Sequence, residues 1–542
     1  MFQRLKYQFA FLAILFATGV LTGSSFADKE KLQIAAQMEN SIQKELLNKW
    51  YPQSVDNEYG GFLSTFTYDF QPTGSQDKMI VTQARHVWSN AKAAELYPDK
   101  VYYKSSARHG FLFLRDVMWD KIYGGFYTLV DRKGNVKQTS LGIKMAYGNA
   151  FGIYGLAAYY QCSGDTAALN LAKKTFMWLE KHSHDPIHKG YYQHLQRDGT
   201  PVKRTVSIPS NAETGYKDQN SSIHLLEAFT ELYKVWPNEL LRERLYEMLL
   251  LIRDTITTKQ GYLTLFFQPD WTPVSVRDSA KDVILKYHNL DYVSFGHNVE
   301  TAYLMLEASE TLGLKNDTVT LIAGKRMVDH AIRNGWDNKV GGFYDEGFYF
   351  KDSNTISIIR DTKNWWAQAE GLNSLLLMSD YFPTDTIQYF QKFKILWNYV
   401  QTYLIDHEHG DWYAGGLDKE PELRTALKGQ IWKGTYHNFR ALANCVERLD
   451  PDTIPPSSPE NLTGKILGNI IVLQWASVHD NKNLLGYNVY QNNIRIGFTP
   501  LTNFSAEKRL EKKKEIYFQV RAIDLHGNES SASKKFYFKN QP

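Results

Sequence analysis

Cysteine is nearly absent: two residues in 542, Cys162 and Cys445, cannot build a disulfide framework. Charge of one sign is also missing. Lys plus Arg number 62 against 58 Asp plus Glu, a formal +4, with no long basic run. That balance argues against nucleic acid as a partner. Low-complexity and collagen-like repetition are absent, and 43% hydrophobic with 22% charged residues is the composition of a folded globular chain. Beyond the N-terminus no stretch holds 18 uninterrupted apolar residues, so no spanning helix is expected in the mature protein. What is plentiful is aromatic: 14% of the chain, including 13 Trp and 34 Tyr. Flat rings with polar tips fill cores, and they also suit the apolar faces of sugars.

Residues 1–27 carry Arg4 and Lys6, then a mostly apolar run from Phe9 to Leu21, and close on Ser25-Phe26-Ala27. This three-part form is a secretory signal peptide. The expectation is an exported protein, periplasmic or extracellular, without membrane insertion once the signal is removed.

A glycine-aromatic turn recurs along the chain. It reads Tyr59-Gly60-Gly61-Phe62, Tyr123-Gly124-Gly125-Phe126, Lys189-Gly190-Tyr191-Tyr192, Gly261-Tyr262, Gly341-Gly342-Phe343-Tyr344 and Gly410-Asp411-Trp412-Tyr413. From Gly60 to Gly410 the intervals run from 64 to 80 residues, which marks six units of one architecture. Helical periodicity fills the intervals, as in Ala84 to Leu96, Ala150 to Tyr160, Ala168 to Leu179, Ile223 to Trp236, Leu240 to Ile252, Val299 to Leu312 and Ala367 to Leu377. Some of these helices, such as Phe151 to Ala158, are apolar nearly all round and require neighbours on every side. Six helical hairpins with such members predict a closed all-α (α/α)6 barrel over 28–450, an inner ring wrapped by an outer one, rather than an open helical array. Its pocket is expected where the inner helices begin.

After residue 450 the pattern changes. Residues 451–459 form a Pro/Ser linker. From 460 to 542, short β-rich runs alternate with Asn, Asp, Gly and Lys loops, the pattern of a small all-β sandwich. The spacing of Trp475, Tyr487-x-Val489-Tyr490 and Tyr517-Phe518-x-Val520-x-Ala522 resembles a fibronectin type III module. It is expected to act as a spacer, with contact to glycan or another protein as the alternative.

Polar constellations interrupt the apolar helices at their starts: Gln83-Ala84-Arg85-His86-Val87-Trp88, Asn220-Ser221-Ser222-Ile223-His224, Gly296-His297-Asn298-Val299-Glu300, Asn364-Trp365-Trp366-Ala367-Gln368-Ala369-Glu370 and Trp432-Lys433-Gly434-Thr435-Tyr436-His437-Asn438. One histidine at a helix start is ordinarily structural, and Asn220 is a natural N-cap. Several imidazoles, an arginine and tryptophans at one register of different repeats instead point to a shared site. Asn220 and His224, four apart, share a helix face, as do His297 and Glu300, three apart, which predicts that Glu300 orients His297. No HExxH pair occurs, and His182-x-His184-x-x-x-His188 reads as a polar loop, so no metal and no cofactor are expected. Glu300 and Glu370 keep a glycoside hydrolase open, because hydrolysis needs two opposed carboxylates. A non-catalytic glycan-binding protein is the other reading from a different class.

These five segments resemble the N-acylglucosamine 2-epimerase superfamily, and within it the cellobiose and mannobiose 2-epimerases, over about residues 30 to 450. The resemblance implies an (α/α)6 barrel without cofactor or metal. It implies acid-base roles for His297 and His437 with His224 in support, and a hold on the sugar's reacting end by Arg85 and Asn220. Around the sugar rings it implies Glu300, Trp365 or Trp366, and Trp432; Glu370, in the same pocket register, is expected to bind substrate. His224 beside Asn220 points to the disaccharide epimerases or to the aldose-ketose isomerase branch rather than to N-acylglucosamine epimerases, and Trp-Trp-x-Gln-Ala-Glu favours the disaccharide branch. Asn298 stands where the family often has Asp, and Lys217-Asp218-Gln219 departs from its usual run. The expected substrate is a disaccharide or small oligosaccharide. An exported enzyme would meet polysaccharide fragments, which tilts the choice between cellobiose and mannobiose toward mannobiose.

Overall fold

A computed structural model describes residues 26–139, 143–205, 212–351, 353–507 and 516–538. The signal peptide expected over Met1–Ala27 lies outside the described residues, apart from the backbone of Phe26 and Ala27 at the start of the first helix. No described helix is long and apolar enough to cross a membrane.

Twelve helices make two concentric rings. In chain order they are α1 (Phe26–Asn40), α2 (Ile80–Leu96), α3 (Val101–Phe113), α4 (Ala146–Ser163), α5 (Thr166–His182), α6 (Gln219–Val235), α7 (Glu239–Leu251), α8 (Phe295–Thr311), α9 (Thr318–Gly335), α10 (Trp365–Tyr381), α11 (Tyr389–Tyr399) and α12 (Tyr436–Leu449). The even-numbered helices form the inner ring. Each packs against the next, and α12 returns to α2, so the ring closes and the open array does not occur. The odd-numbered helices lie outside, with α1 against α12. Inner helices must be apolar all round to sit between two sets of neighbours, and in α4 every residue from Ala146 to Gln161 is buried.

The glycine-aromatic turns follow the outer helices and lead back to the next inner one. Gly124 and Gly125 hold φ of +72° and +73°, and a Cβ on either would lie 2.7–2.8 Å from Trp178, so both conformation and space demand glycine there. A second repeated device lies under these turns. An aspartate opening the turn accepts a buried ion pair from the lysine that stands just before the next inner helix. The pairs are Lys78–Asp56 (2.8 Å), Lys144–Asp120 (3.0 Å), Lys217–Asp185 (2.7 Å) and Lys363–Asp337 (2.9 Å). The last turn uses Lys428–Asp406 (2.7 Å) and Lys433–Asp411 (2.5 Å). Lys217, part of the departure noted just before the Asn220 segment, is thus one copy of this clamp. In the fourth unit Thr258 and Val293 stand at the two positions, so both charges are absent together. Losing one partner alone would leave a buried charge uncompensated, a far costlier change.

The residue four into several inner helices completes the latch. Gln83 accepts from Phe62 N and donates to its carbonyl, Asn149 accepts from Phe126 N, and Gln368 repeats both bonds at Phe343. Asn298 accepts from Leu263 N at 3.2 Å, so its amide serves the turn.

Beyond α12, residues 451–462 run without regular structure, followed by seven strands: β1 (Thr463–Leu467), β2 (Ile470–Gln474), β3 (Leu484–Gln491), β4 (Ile494–Thr499), β5 (Asn503–Glu507), β6 (Ile516–Asp524) and β7 (Phe536–Phe538). They form two antiparallel sheets, ordered β1-β2-β5 and β4-β3-β6-β7. Trp475, Tyr487, Val489, Phe518 and Val520 are buried between them. The expectation of a passive spacer does not fit the contacts. Arg495 donates to the carbonyls of Tyr233 and Lys234 at the end of α6, and Asn483 donates to the carbonyl of Leu96 at the end of α2 (3.3 Å). Tyr160 at the end of α4 donates to the Phe498 carbonyl at 2.8 Å, and Phe498 joins the barrel's own apolar core. The sandwich caps helix C-termini that would otherwise leave carbonyls unsatisfied. It therefore covers the barrel end away from the inner-helix N-termini.

Candidate active site

Three imidazoles gather at the N-terminal ends of α6, α8 and α12, each gripped through Nδ1. His437 Nδ1 lies 2.8 Å from Glu370 Oε1. His224 Nδ1 lies 2.8 Å from Glu227 Oε2, one helical turn along α6. His297 Nδ1 lies 2.9 Å from the hydroxyl of Ser294, the N-cap of α8. In each ring this leaves Nε2 as the nitrogen turned away from its anchor.

Aromatic contacts join these rings into one surface. Trp366 lies between two of them, with ring centroids 4.7 Å from His297 and 5.9 Å from His437. Tyr436 meets His437 at 4.7 Å, while Phe151 and Tyr147 flank His224 at 4.9 and 5.2 Å. The Arg85 guanidinium is stacked between Phe151 (4.4 Å) and Tyr436 (4.7 Å) and donates to Tyr147 Oη at 3.2 Å. Asn220 stands half-buried in the first turn of α6; the cap itself is Asp218, which accepts from Ser221 N. Gly296 leaves the room that Trp366 needs, since a Cβ there would lie 2.7 Å from its ring. Burial of its imidazole lowers the pKa of His297 to about 4, and burial with the nearby Arg85 charge holds His437 well below the usual imidazole value.

Beneath this layer sits a charge network that the sequence motifs do not announce. Arg440, one turn after His437, binds Glu227 through Nη1, and through Nη2 it binds Glu300 (2.7 Å) and Glu370 (2.6 Å). Tyr436 also donates to Glu227. All four charged side chains are buried. Burial alone would raise the Glu227 carboxyl, but Arg440, His224 and Tyr436 outweigh it and hold it down at about 2. Burial, only partly offset by Arg440, leaves Glu370 above its ordinary value.

Several expectations change at this point. Glu300 does not orient His297. It is drawn to Arg440, and its nearest imidazole is His437 at 3.8 Å, while Ser294 takes the expected role. Glu300 and Glu370, both expected to bind substrate, are 1% and 0% exposed and stand under the imidazole layer. They converge on one guanidinium nitrogen, an arrangement unlike the opposed carboxylates of a hydrolase. Trp366 is the tryptophan among the imidazoles; Trp365 is buried beside the Lys433 ammonium (5.6 Å). Trp432 is 37% exposed on the loop before α12, where its carbonyl accepts from Arg85 Nη1 at 3.4 Å. Glu300, Glu370 and His437 have the spacing of a metal triad, but the cation shared by both carboxylates is Arg440. Glu227, Tyr436, Arg440, Tyr147 and Ser294 were not singled out by sequence reasoning. The three-residue steps from His224 to Glu227 and from His437 to Arg440 are the signals that could have found two of them.

A closed double ring of helices with a histidine-lined mouth is thus the frame of the molecule. The N-acylglucosamine 2-epimerase (GlcNAc 2-epimerase) family model matches residues 60–441, and the chain belongs to that family. Cellobiose 2-epimerase of Bacteroides fragilis is 27% identical over 419 residues, covering 76% of this chain and 98% of that protein. The enzyme of the same name from Ruminococcus albus is 29% identical over 423 residues, covering 76% and 99%. The solved structure of cellobiose 2-epimerase from Spirochaeta thermophila superposes with a TM-score of 0.66 at 27% identity, covering 79% of this chain and 99% of that one.

Proposed function

We propose that the protein is a disaccharide 2-epimerase that interconverts glucose and mannose at the reducing end of a β-1,4-linked disaccharide, by proton transfer between imidazoles. The observation that carries this reading is the grip on each imidazole through Nδ1 around one aromatic floor. The cellobiose 2-epimerases among the relatives support cellobiose as a substrate, and mannobiose presents the same linkage.

The chemistry begins with ring opening, in which His224 assists. The C2 proton beside the resulting aldehyde is then acidic enough for an imidazole to remove. Glu370 accepts the Nδ1 proton of His437, which leaves the Nε2 lone pair as the base. The Ser294 hydroxyl accepts weakly from His297 N (3.4 Å) and can donate to His297 Nδ1, which leaves a proton on Nε2. The two rings thus favour opposite tautomers, one ready to take a proton and the other carrying one. Arg85, held flat between Phe151 and Tyr436, stabilises the enediolate oxygen, an effect of about 3 kcal/mol for a preorganised donor. Reprotonation on the opposite face of C2 from His297 Nε2 completes the epimerisation, and the proton gained by His437 passes back to His297 through solvent to reset both rings; reprotonation at C1 would yield a ketose instead. Trp366 supplies a stacking face for the sugar and Trp432 a second at the rim.

Incubation with cellobiose, followed by carbon NMR of the products, tests the reading. The expected product is glucosyl-mannose. Ketose as the sole product assigns the chain to aldose-ketose isomerisation, and released glucose overturns both. The depressed imidazole values set the pH profile. A base works only when neutral, so activity is lost as pH falls through the pKa of the folded site. The acid limb of kcat/KM is therefore expected with its midpoint well below 6.5, and a midpoint at or above 6.5 contradicts the assignment.

The basic and apolar pattern of residues 1–27 supports export. The strand order β1-β2-β5 over β4-β3-β6-β7 supports a fibronectin type III relationship.

A further inference from the structure

Three aspartates from separate stretches meet where the barrel hands over to the sandwich. Asp452 lies three residues past the end of α12, Asp480 lies in the β2–β3 loop, and Asp524 ends β6. Each brings a carboxylate oxygen within 4.8 Å of the other two, and all three are buried, at 6, 9 and 0% exposure. Asp452 accepts from Ile454 N (2.9 Å) and Asn481 Nδ2 (2.7 Å), and Asp524 accepts from Asn528 N and Nδ2, both at 2.8 Å. Asp480 accepts from Lys482 N through Oδ2 (3.1 Å), but its Oδ1 is sealed from solvent and has no hydrogen-bond partner. Among the described residues no Lys or Arg forms an ion pair with any of the three; the Lys482 ammonium goes to Asp450 at 3.2 Å.

A buried carboxylate oxygen without a partner, on a side chain grouped with two further buried carboxylates, calls for a positive partner. The donors are all carboxylate oxygens, two from irregular segments and one from the end of a strand, which suits a hard divalent cation rather than the nitrogen and sulfur preferences of zinc. We propose that Asp452, Asp480 and Asp524 form a calcium site. The bound ion ties the chain leaving the barrel to two loops of the sandwich. Because the Asp480 loop also carries Lys482 and Asn483, which reach Asp450 and the Leu96 carbonyl, the ion sets how the sandwich seats on the barrel.

The full-length protein, stripped with EDTA and dialysed, is titrated with calcium chloride by calorimetry and unfolded thermally with and without the ion. One ion per chain is expected, with a Kd between about 10 µM and 1 mM. Saturating calcium is expected to raise the midpoint of sandwich unfolding by about 5 °C. Asp480→Asn should abolish both signals and leave sugar turnover unchanged. Absence of heat and of any calcium-dependent midpoint in the unaltered protein overturns the proposal, whatever the variant does. So does binding retained in both Asp480→Asn and Asp524→Asn, or a magnesium response equal to that of calcium.

Discussion

Replacing His437 with asparagine is expected to lower kcat on cellobiose by about 10²–10⁴-fold with little change in KM. The asymmetry follows from position. The ring is 8% exposed, with Nδ1 on Glu370 and Tyr436 and Trp366 packed beside it, so in the proposed mechanism it serves proton transfer rather than breadth of sugar contact. Asparagine keeps a polar group there but cannot carry a proton to and from carbon. Glu370 would still be paired with Arg440, so the thermal midpoint should move little. Steady-state kinetics beside a melting curve separates the two effects. Turnover within threefold of the unaltered enzyme would remove His437 from the mechanism.

Arg440→Met is expected to be the most destabilising single change in the barrel, at about 3–5 kcal/mol. One guanidinium is the shared ion-pair partner of Glu227, Glu300 and Glu370, none more than 3% exposed, and burial leaves the carboxylates no water to replace it. Activity should fall as well, because Glu227 and Glu370 anchor His224 and His437. Arg440→Lys should recover part of the stability, since an ammonium supplies the charge but not the planar fork that reaches three partners. Urea unfolding of the three proteins measures this. A loss under 1 kcal/mol for Arg440→Met would show that the carboxylates do not depend on the guanidinium.

The repeat architecture was legible because it is periodic. The glycine-aromatic turn returns six times, and a helix as apolar as α4 has few places to go but the inside of a double ring. The lysine-aspartate clamp repeats nearly as often, but a lone lysine before a helix reads as a surface residue until its burial is known. At the site, register drew together residues hundreds of positions apart, but pairing rules worked unevenly. A three-residue step joins His224 to Glu227, while the same step fails for His297 and Glu300, because Arg440 from another helix outcompetes the imidazole for that carboxylate. Trp365 and Trp366 differ by one residue, so about 100° of helix rotation sends one among the imidazoles and the other beside Lys433. The seat of the sandwich rests on pairs such as Arg495 with Tyr233, 262 positions apart, and no local pattern marks such a contact.

The central claim is that His297 and His437 serve opposite faces of one carbon, and hydrogen exchange in half-reactions tests it most directly. His297→Asn and His437→Asn are each incubated in D2O with cellobiose and, separately, with its C2 epimer, and deuterium at C2 is followed by proton NMR. Each variant should wash hydrogen out of one epimer without converting it, and the two variants should act on different epimers. Exchange of the same epimer by both, or full epimerisation by either, would contradict the account.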